Sequence, residues 1–178
     1  ETLRFQGDVD LFRTRDWIAD WDNDADADVI LRINDEYVWY ENLGNRTFAP
    51  ARIIIQQAPA SRSSYRFNDM DGDGDRDAIW TTSDSEVVWQ ENINGSVWGP
   101  IQSIATHAIL WHTMDVNEDG AIDCLLFPQG QTEMRVYVND GSGHFADAYV
   151  SLPRSATVLA DLNQDGKIDL LTPMSTQE

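Results

Sequence analysis

The chain has 178 residues, with 31 Asp and Glu against 12 Lys and Arg, for a formal net charge of −19. That balance argues against nucleic acid or an anionic membrane as partner, since both need basic surface. A hydrophobic content of 42% with seven Trp excludes wholesale disorder. The length suits one domain with a substantial core, or part of a larger one.

Acidic loops begin at Asp20, Asp69, Asp115 and Asp161, at spacings of 49, 46 and 46 residues, and what lies between them repeats. A short strand enters each loop: Trp17-Ile18-Ala19, Tyr65-Arg66-Phe67, Leu110-Trp111 and Val158-Leu159-Ala160. An apolar strand leaves it: Val29-Ile30-Leu31, Ala78-Ile79-Trp80, Cys124 to Phe127, and Leu170-Leu171. After a polar turn, a further strand ends in Asn, as Tyr37 to Asn42, Val87 to Asn92 and Val136 to Asn139. Hairpins rich in Gly and Asn follow at Leu43-Gly44-Asn45, Ile93-Asn94-Gly95 and Asp140 to Gly143. Phe48, Trp98 and Phe145 then open a fourth strand in their units.

Four strands per repeat of about 46 residues, with no helical period, are the pattern of β-propeller blades. The predicted fold is therefore all-β, an array of four-stranded antiparallel blades over residues 14–55, 64–104 and 109–152, with a partial blade at 156–178. Residues 1–13 read as the outer strand of a preceding blade, because Phe5 to Leu11 aligns with Phe145 to Leu152. Two accounts of the ends fit: a segment of a larger propeller, which is the reading adopted, or closure as four blades. An unclosed array would expose sheet edges and an inter-blade face, which favours association.

The second loop, Asp69-Met70-Asp71-Gly72-Asp73-Gly74-Asp75-Arg76-Asp77, places carboxylates at positions 1, 3, 5 and 9, with Gly at position 6. Oxygen donors at this density suit Ca²⁺, which takes six to eight at about 2.3–2.6 Å. An EF-hand is excluded, since its position 12 needs Glu and here is Trp80, in a strand rather than a helix. The first loop offers Asp20, Asp22, Asp24 and Asp28, with Ala25 at position 6, where a positive φ would cost about 1 kcal/mol. The third offers Asp115, Asn117, Asp119 and Asp123, and the fourth Asp161, Asn163, Asp165 and Asp169. Position 7 (Asp26, Asp75, Ala121, Lys167) varies in charge and would contribute its backbone carbonyl. Four loops in one register are more than polar turns. Mg²⁺ fits less well because it keeps its waters, and Zn²⁺ because His and Cys ligands are lacking. Four Ca²⁺ would reduce the charge to −11.

These loops and strand endings, D-x-D/N-x-D-G-x-x-D with Trp39-Tyr40-Glu41-Asn42 and Trp89-Gln90-Glu91-Asn92, followed by Phe48/Pro50 and Trp98/Pro100, resemble the FG-GAP/VCBS repeats of integrin α-subunit propellers. The resemblance implies a seven-bladed type of propeller with structural Ca²⁺ between the first two strands of a blade. Its metal ligands fall on positions 1, 3, 5 and 9 of each loop.

The remaining chemistry is sparse. Cys124, the single cysteine, cannot form an internal disulfide and reads as a small buried hydrophobe. His107, His112 and His144 lie in separate segments without a catalytic arrangement, and the recurring aromatics read as inter-blade core. Trp80 and Trp111 do not recur strictly and are better ligand candidates, though core remains the reading. Sequons at Asn45 and Asn94 fall in hairpins, where glycosylation and simple turn formation are both open readings. No apolar run approaches the ~18 residues of a membrane span. No signal peptide is recognised, which says little of a mature or excerpted chain.

The sequence thus predicts a non-enzymatic, calcium-stabilised, secreted or cell-surface module for adhesion or assembly. It would bind protein through Gln57–Ser64, Thr82–Glu86 and Gln129–Glu133, opposite the acidic loops. A lectin-like propeller holding glycans between blades, and an accessory domain of a larger secreted enzyme or toxin, are the alternatives. Remaining blades or other copies would complete the propeller.

Overall fold

The computed structural model describes residues 17–33, 36–55, 65–93, 95, 97–153, 158–160, 162 and 169–171. Residues 1–13, the segment Gln57–Ser64, Asn94, Asp161, Asn163, Asp165 and Lys167 lie outside them.

Alternating apolar residues bounded by acidic and Gly-rich turns fold here into short antiparallel strands, and no helix occurs among the described residues. The first sheet has the order β1 (Trp17–Ala19), β2 (Asp28–Ile33), β3 (Glu36–Tyr40), β4 (Arg52–Ile55). The second repeats it with β5 (Arg66–Asn68), β6 (Asp77–Thr81), β7 (Val87–Asn92) and β8 (Trp98–Ala105). The third is β9 (Ala108–Met114), β10 (Asp123–Pro128), β11 (Glu133–Asn139) and β12 (Phe145–Pro153). A two-stranded sheet pairs β13 (Val158–Ala160) with β14 (Asp169–Leu171). The expected meander is thus present in three full copies and the start of a fourth.

Register follows the repeat: Ile30 faces Trp39, Ile79 faces Trp89, and Leu125 faces Val136. One departure concerns Phe48, which pairs with Asn42 only as an isolated bridge, while β4 begins at Arg52. Pro50 lies between them and has no N–H to give a ladder. Pro100 is carried within β8, an edge strand, where a missing donor is tolerated.

The core lies between sheets. Trp39, Ile30 and Tyr37 of the first sheet meet Phe67, Ala78, Trp80 and Val88 of the second, with Tyr65 stacked on Trp80 at 5.3 Å between ring centroids. The opposite face of the second sheet, Ile79, Val87 and Trp89, meets Leu110, Cys124 and Leu126 of the third. Cys124 is fully buried, and burial pushes its thiol well above the usual range, in keeping with a packing role. Trp80 is buried in the first of these clusters, and half-buried Trp111 packs beside Leu125 and Val136. His107, His112 and His144 are exposed.

Position 2 of the first three acidic loops also enters this core, a role that the sequence did not announce. Trp21 is fully buried and meets Phe67 edge-on at 5.1 Å; Met70 is buried in the next cluster; half-buried Val116 packs in the third. Leu162, at the same position of the fourth loop, is exposed. No helix among the described residues is long and apolar enough to cross a membrane.

Hairpin glycines set the spacing between sheets. Gly95, at φ 74°, lies on Trp39 of the preceding sheet, and a Cβ there would stand 3.6 Å from the ring. Gly143, at φ 75°, packs on Trp89 so closely that a Cβ would overlap the indole. Gly143→Ala combines left-handed strain with overpacking and should destabilise by about 2–4 kcal/mol in urea denaturation. A loss below about 0.5 kcal/mol would show that this contact does not hold the second and third sheets together.

Candidate metal centre

Each acidic loop links the first two strands of its sheet, β1–β2, β5–β6 or β9–β10. Its first carboxylate folds it. Asp20 accepts the N–H groups of Asp24 and Ala25, Asp69 those of Gly72 and Gly74, and Asp115 those of Glu118 and Gly120, at 2.7–3.1 Å. The carboxylate at position 5 accepts the N–H of position 7: Asp26 to Asp24, Asp75 to Asp73 and Ala121 to Asp119, each at 2.8 Å.

This winding demands left-handed backbone twice. Position 6 has φ of 74° at Ala25, 97° at Gly74 and 92° at Gly120, as expected for a glycine position. Position 4 is left-handed as well, with φ of 61° at Asn23, 80° at Gly72 and 62° at Glu118. Only Gly72 signalled this in the sequence, because Asn tolerates the conformation and Glu118 is simply forced into it.

Position 9 is the anchor. Asp28, Asp77 and Asp123 are fully buried. One oxygen of each accepts the N–H of position 2 (Trp21, Met70, Val116) at 2.8–3.1 Å. The other accepts the N–H of an Asn that ends the repeat's third strand (Asn92, Asn139) or lies two residues past it (Asn42), at 2.7–2.9 Å. Asp169 takes the N–H of Leu162 in the same way, at 2.9 Å. Each oxygen keeps a second lone pair that can face a cation. The three Asn side chains were missed as site residues. They donate to the loop carbonyls of Ala27, Arg76 and Ile122, and accept from the hairpin N–H groups of Gly44, Gly95 and Gly141.

Donor oxygens of Asp20, Asp22 and Asp28 lie within 4.8 Å of one another, as do those of Asp69, Asp71 and Asp77. A second grouping joins Asp71 and Asp73 to Glu91 of β7. Glu91 had a signal, the Glu before the strand-ending Asn, shared with Glu41; the third repeat has Val138 there. Among the described residues, such carboxylate groupings occur at the first two loops. In the third, the Asn117 amide donates to Asp119 at 2.8 Å.

The donor set fits a hard divalent cation. It is oxygen throughout, and Asp22 Oδ1 is withdrawn from water with no hydrogen-bond partner. Desolvation, then the charges of Asp28, Asp24 and Glu41, raise the pKa of Asp22. Asp71, Asp75 and Asp123 are raised in the same sense, desolvation first, and Asp77 is raised to about 7 by burial against the opposing pull of its two N–H donors. A cation held by these groups would relieve that penalty.

Neighbouring loops touch. Arg76 Nε donates to the carbonyl of Asp20 at 3.3 Å, and a cavity of about 410 Å³ between the second and third sheets is lined by Asp69, Met70, Asp119, Ile122, Asp140 and Gly141. Asn45 is exposed on its hairpin, at φ 51°.

Two outcomes follow from this geometry. Ala25→Gly should stabilise the protein by about 1 kcal/mol in chemical denaturation, since the left-handed strain disappears; no gain would mean that position 6 relaxes. For Asp77 the folded pKa of about 7 exceeds the ordinary 3.8, so between those pH values only the folded chain retains the proton. Its contribution is fully present below that window and is lost as pH rises through it, on the order of a few kcal/mol. In EDTA the urea midpoint should be higher at pH 5 than at pH 7.5. A flat or rising midpoint would contradict the raised carboxylates.

A family model described as FG-GAP-like repeat matches residues 20–80 and 115–172. No curated protein matches the chain in sequence. Among solved structures it is similar to an Agrocybe aegerita lectin described for recognition of non-reducing terminal N-acetylglucosamine, with TM-score 0.62 and 19% identity over 80% of this chain and 39% of the lectin. It is also similar to the Tc holotoxin pore of Photorhabdus luminescens, with TM-score 0.58 and 16% identity over 88% of this chain and 8% of that one. The chain thus spans well under half the length of either structure, and at these identities the likeness speaks to a propeller-like fold alone. The repeated loop, its register and the match over more than half of the sequence place this chain in the FG-GAP-like repeat family.

Proposed function

We propose that the chain is a non-catalytic recognition module of the extracellular space whose acidic loops hold structural Ca²⁺. The observation that carries this is how the loop carboxylates are used. Those at positions 1, 5 and 9 each accept backbone N–H groups that shape a turn or tie it to a hairpin. A cation bound by Asp20, Asp22 and Asp28, or by Asp69, Asp71 and Asp77, would close a staple between strands. Millimolar extracellular calcium would keep such sites filled even at low affinity. The partner would be a protein meeting the opposite end of the sheets. There the Thr82–Glu86 turn and Gln129 are already braced together, Gln129 Nε2 donating to Ser85 Oγ at 2.6 Å. Further repeats would extend the array toward a seven-bladed propeller.

A second reading, binding of a glycan between sheets, is favoured by the cavity beside Met70 and Ile122. It joins an apolar floor to the carboxylates of Asp69, Asp119 and Asp140, the mixture that a saccharide ring requires. Glycan-array binding abolished by Ile122→Trp, which would fill the cavity, would decide for this reading. An array with no signal would leave protein recognition standing.

Calcium itself is tested by melting. One site at a hundredfold excess over its Kd adds about 2.7 kcal/mol, or about 5–10 °C in a domain of this size. CaCl2 should raise Tm by at least that much over EDTA. An unchanged Tm would remove the metal from the proposal.

A further inference from the structure

Between the first and second sheets, the loop end is closed by a basic side chain of the chain itself. Arg76, at position 8 of the second loop, donates from Nε to the carbonyl of Asp20 at 3.3 Å and from Nη1 to that of Phe67 at 3.4 Å. Fully buried Trp21 stands beside it at position 2 of the first loop. Between the second and third sheets, the corresponding residues change together. Position 8 is Ile122, position 2 is Met70, and the residue after the strand-ending Asn is Asp140 where the second sheet has Ile93. Here lies the cavity of about 410 Å³, with Met70, Ala121 and Ile122 as its apolar floor and Asp69, Asp119 and Asp140 at its rim. The three replacements act in one direction: a basic side chain is gone, room is left for one, and a carboxylate is added. Asp140 Oδ1 accepts the N–H and Oγ–H of Ser142 at 2.9 and 2.7 Å, and among the described residues no hydrogen bond uses its Oδ2.

We propose that this cavity takes an arginine side chain of a protein partner, in the place that Arg76 fills between the first and second sheets. Its methylene stem would lie on Met70 and Ile122. Its guanidinium would meet the Asp140 carboxylate and the carbonyl of Asp69, the counterpart of the Asp20 carbonyl that Arg76 meets. Arginine suits the site better than lysine, because a planar fork of donors can serve two acceptors at once. Asp140 lies outside the candidate cation sets, so a filled metal loop leaves this contact in place. The inference goes beyond the recognition reading above, which puts the partner at the opposite end of the sheets.

The probe is the peptide acetyl-Gly-Arg-Gly-amide, titrated in about 1 mM CaCl2 so that it does not merely stand in for a cation. ¹H–¹⁵N spectra follow the amides of Gly72, Gly120 and Gly141 at the cavity, with Ser85 at the far end as reference. The three glycines should shift and Ser85 should not. A citrulline peptide, which has the same shape without the charge, should bind about five-fold more weakly or worse, and Asp140→Asn should cost as much. Ile122→Arg supplies the arginine from within; it should keep the urea midpoint and abolish the peptide shifts, whereas Ile122→Gln should lower the midpoint. Asp140 is exposed, so its variant decides even where Ile122→Arg does not fold. No shift at the glycines, equal affinity for citrulline, or shifts seen only in EDTA would each overturn the proposal. So would an Ile122→Arg midpoint as low as that of Ile122→Gln. N-acetylglucosamine shifting the same glycines when the peptide does not would decide for a glycan instead. None of these results touches recognition through the Thr82–Glu86 turn, so the two readings fail separately.

Discussion

A carboxylate with no access to water organises each repeat. Asp28, Asp77 and Asp123 carry a carboxyl group into the interior, where unpaired polar oxygens would cost several kcal/mol. The cost is offset because each oxygen meets a backbone N–H, one from the loop and one from the strand-ending Asn. Those two donors are 7 residues before and 15 residues after Asp77. A single side chain therefore fixes the loop against the next turn of the same sheet. The hairpin glycine follows, since Asn92, whose backbone N–H serves Asp77, accepts the N–H of Gly95 with its side-chain oxygen.

From that anchor the array propagates. With the loop fixed, position 2 is carried into the space between sheets, where Trp21 and Met70 are buried. With the hairpin fixed, Gly95 and Gly143 come to rest on Trp39 and Trp89 of the preceding sheet. The acidic loop is thus a packing element as well as a donor set. This is the nearest-neighbour logic of repeat proteins, in which each unit buries its faces only by stacking on the next. The carboxylates of each loop sit on the same short stretch of backbone that sends Trp21 or Met70 into the space between sheets. A scaffold of that kind presents its partner surfaces on turns, while the sheets supply rigidity.

Differences among the repeats then acquire meaning. The first loop has a full set of carboxylates but strains Ala25 into the left-handed region. The second has glycines at both left-handed positions, and Glu91 adds a further oxygen. The third replaces one carboxylate with Asn117 and lacks the additional Glu, so its donor set carries less negative charge. Fewer like charges mean less repulsion to relieve, and a smaller gain when a cation relieves it. The three loops share one wiring diagram with three different electrostatic loads.

The sequence by itself determined the repeat, the order of four strands, the acidic loops and the need for a glycine at position 6. All of these are local or periodic signals that one chain segment carries alone. It also pointed to Cys124 and the recurring Trp as interior. Only the tertiary structure decided what lies between repeats: Trp21 and Met70 as core, Gly143 against Trp89, and Asn139 on the carbonyl of Met70, 69 residues away. Nor could the chain announce that Asn42, Asn92 and Asn139 clamp a buried carboxylate, because an Asn before a Gly-rich hairpin reads equally well as turn chemistry. Position 4 stayed hidden for a related reason, since Glu118 is held left-handed by the loop around it and by nothing in its own preference. Periodicity reports what each segment does for itself, whereas contacts across sheets depend on where the twist and register of two segments bring them together.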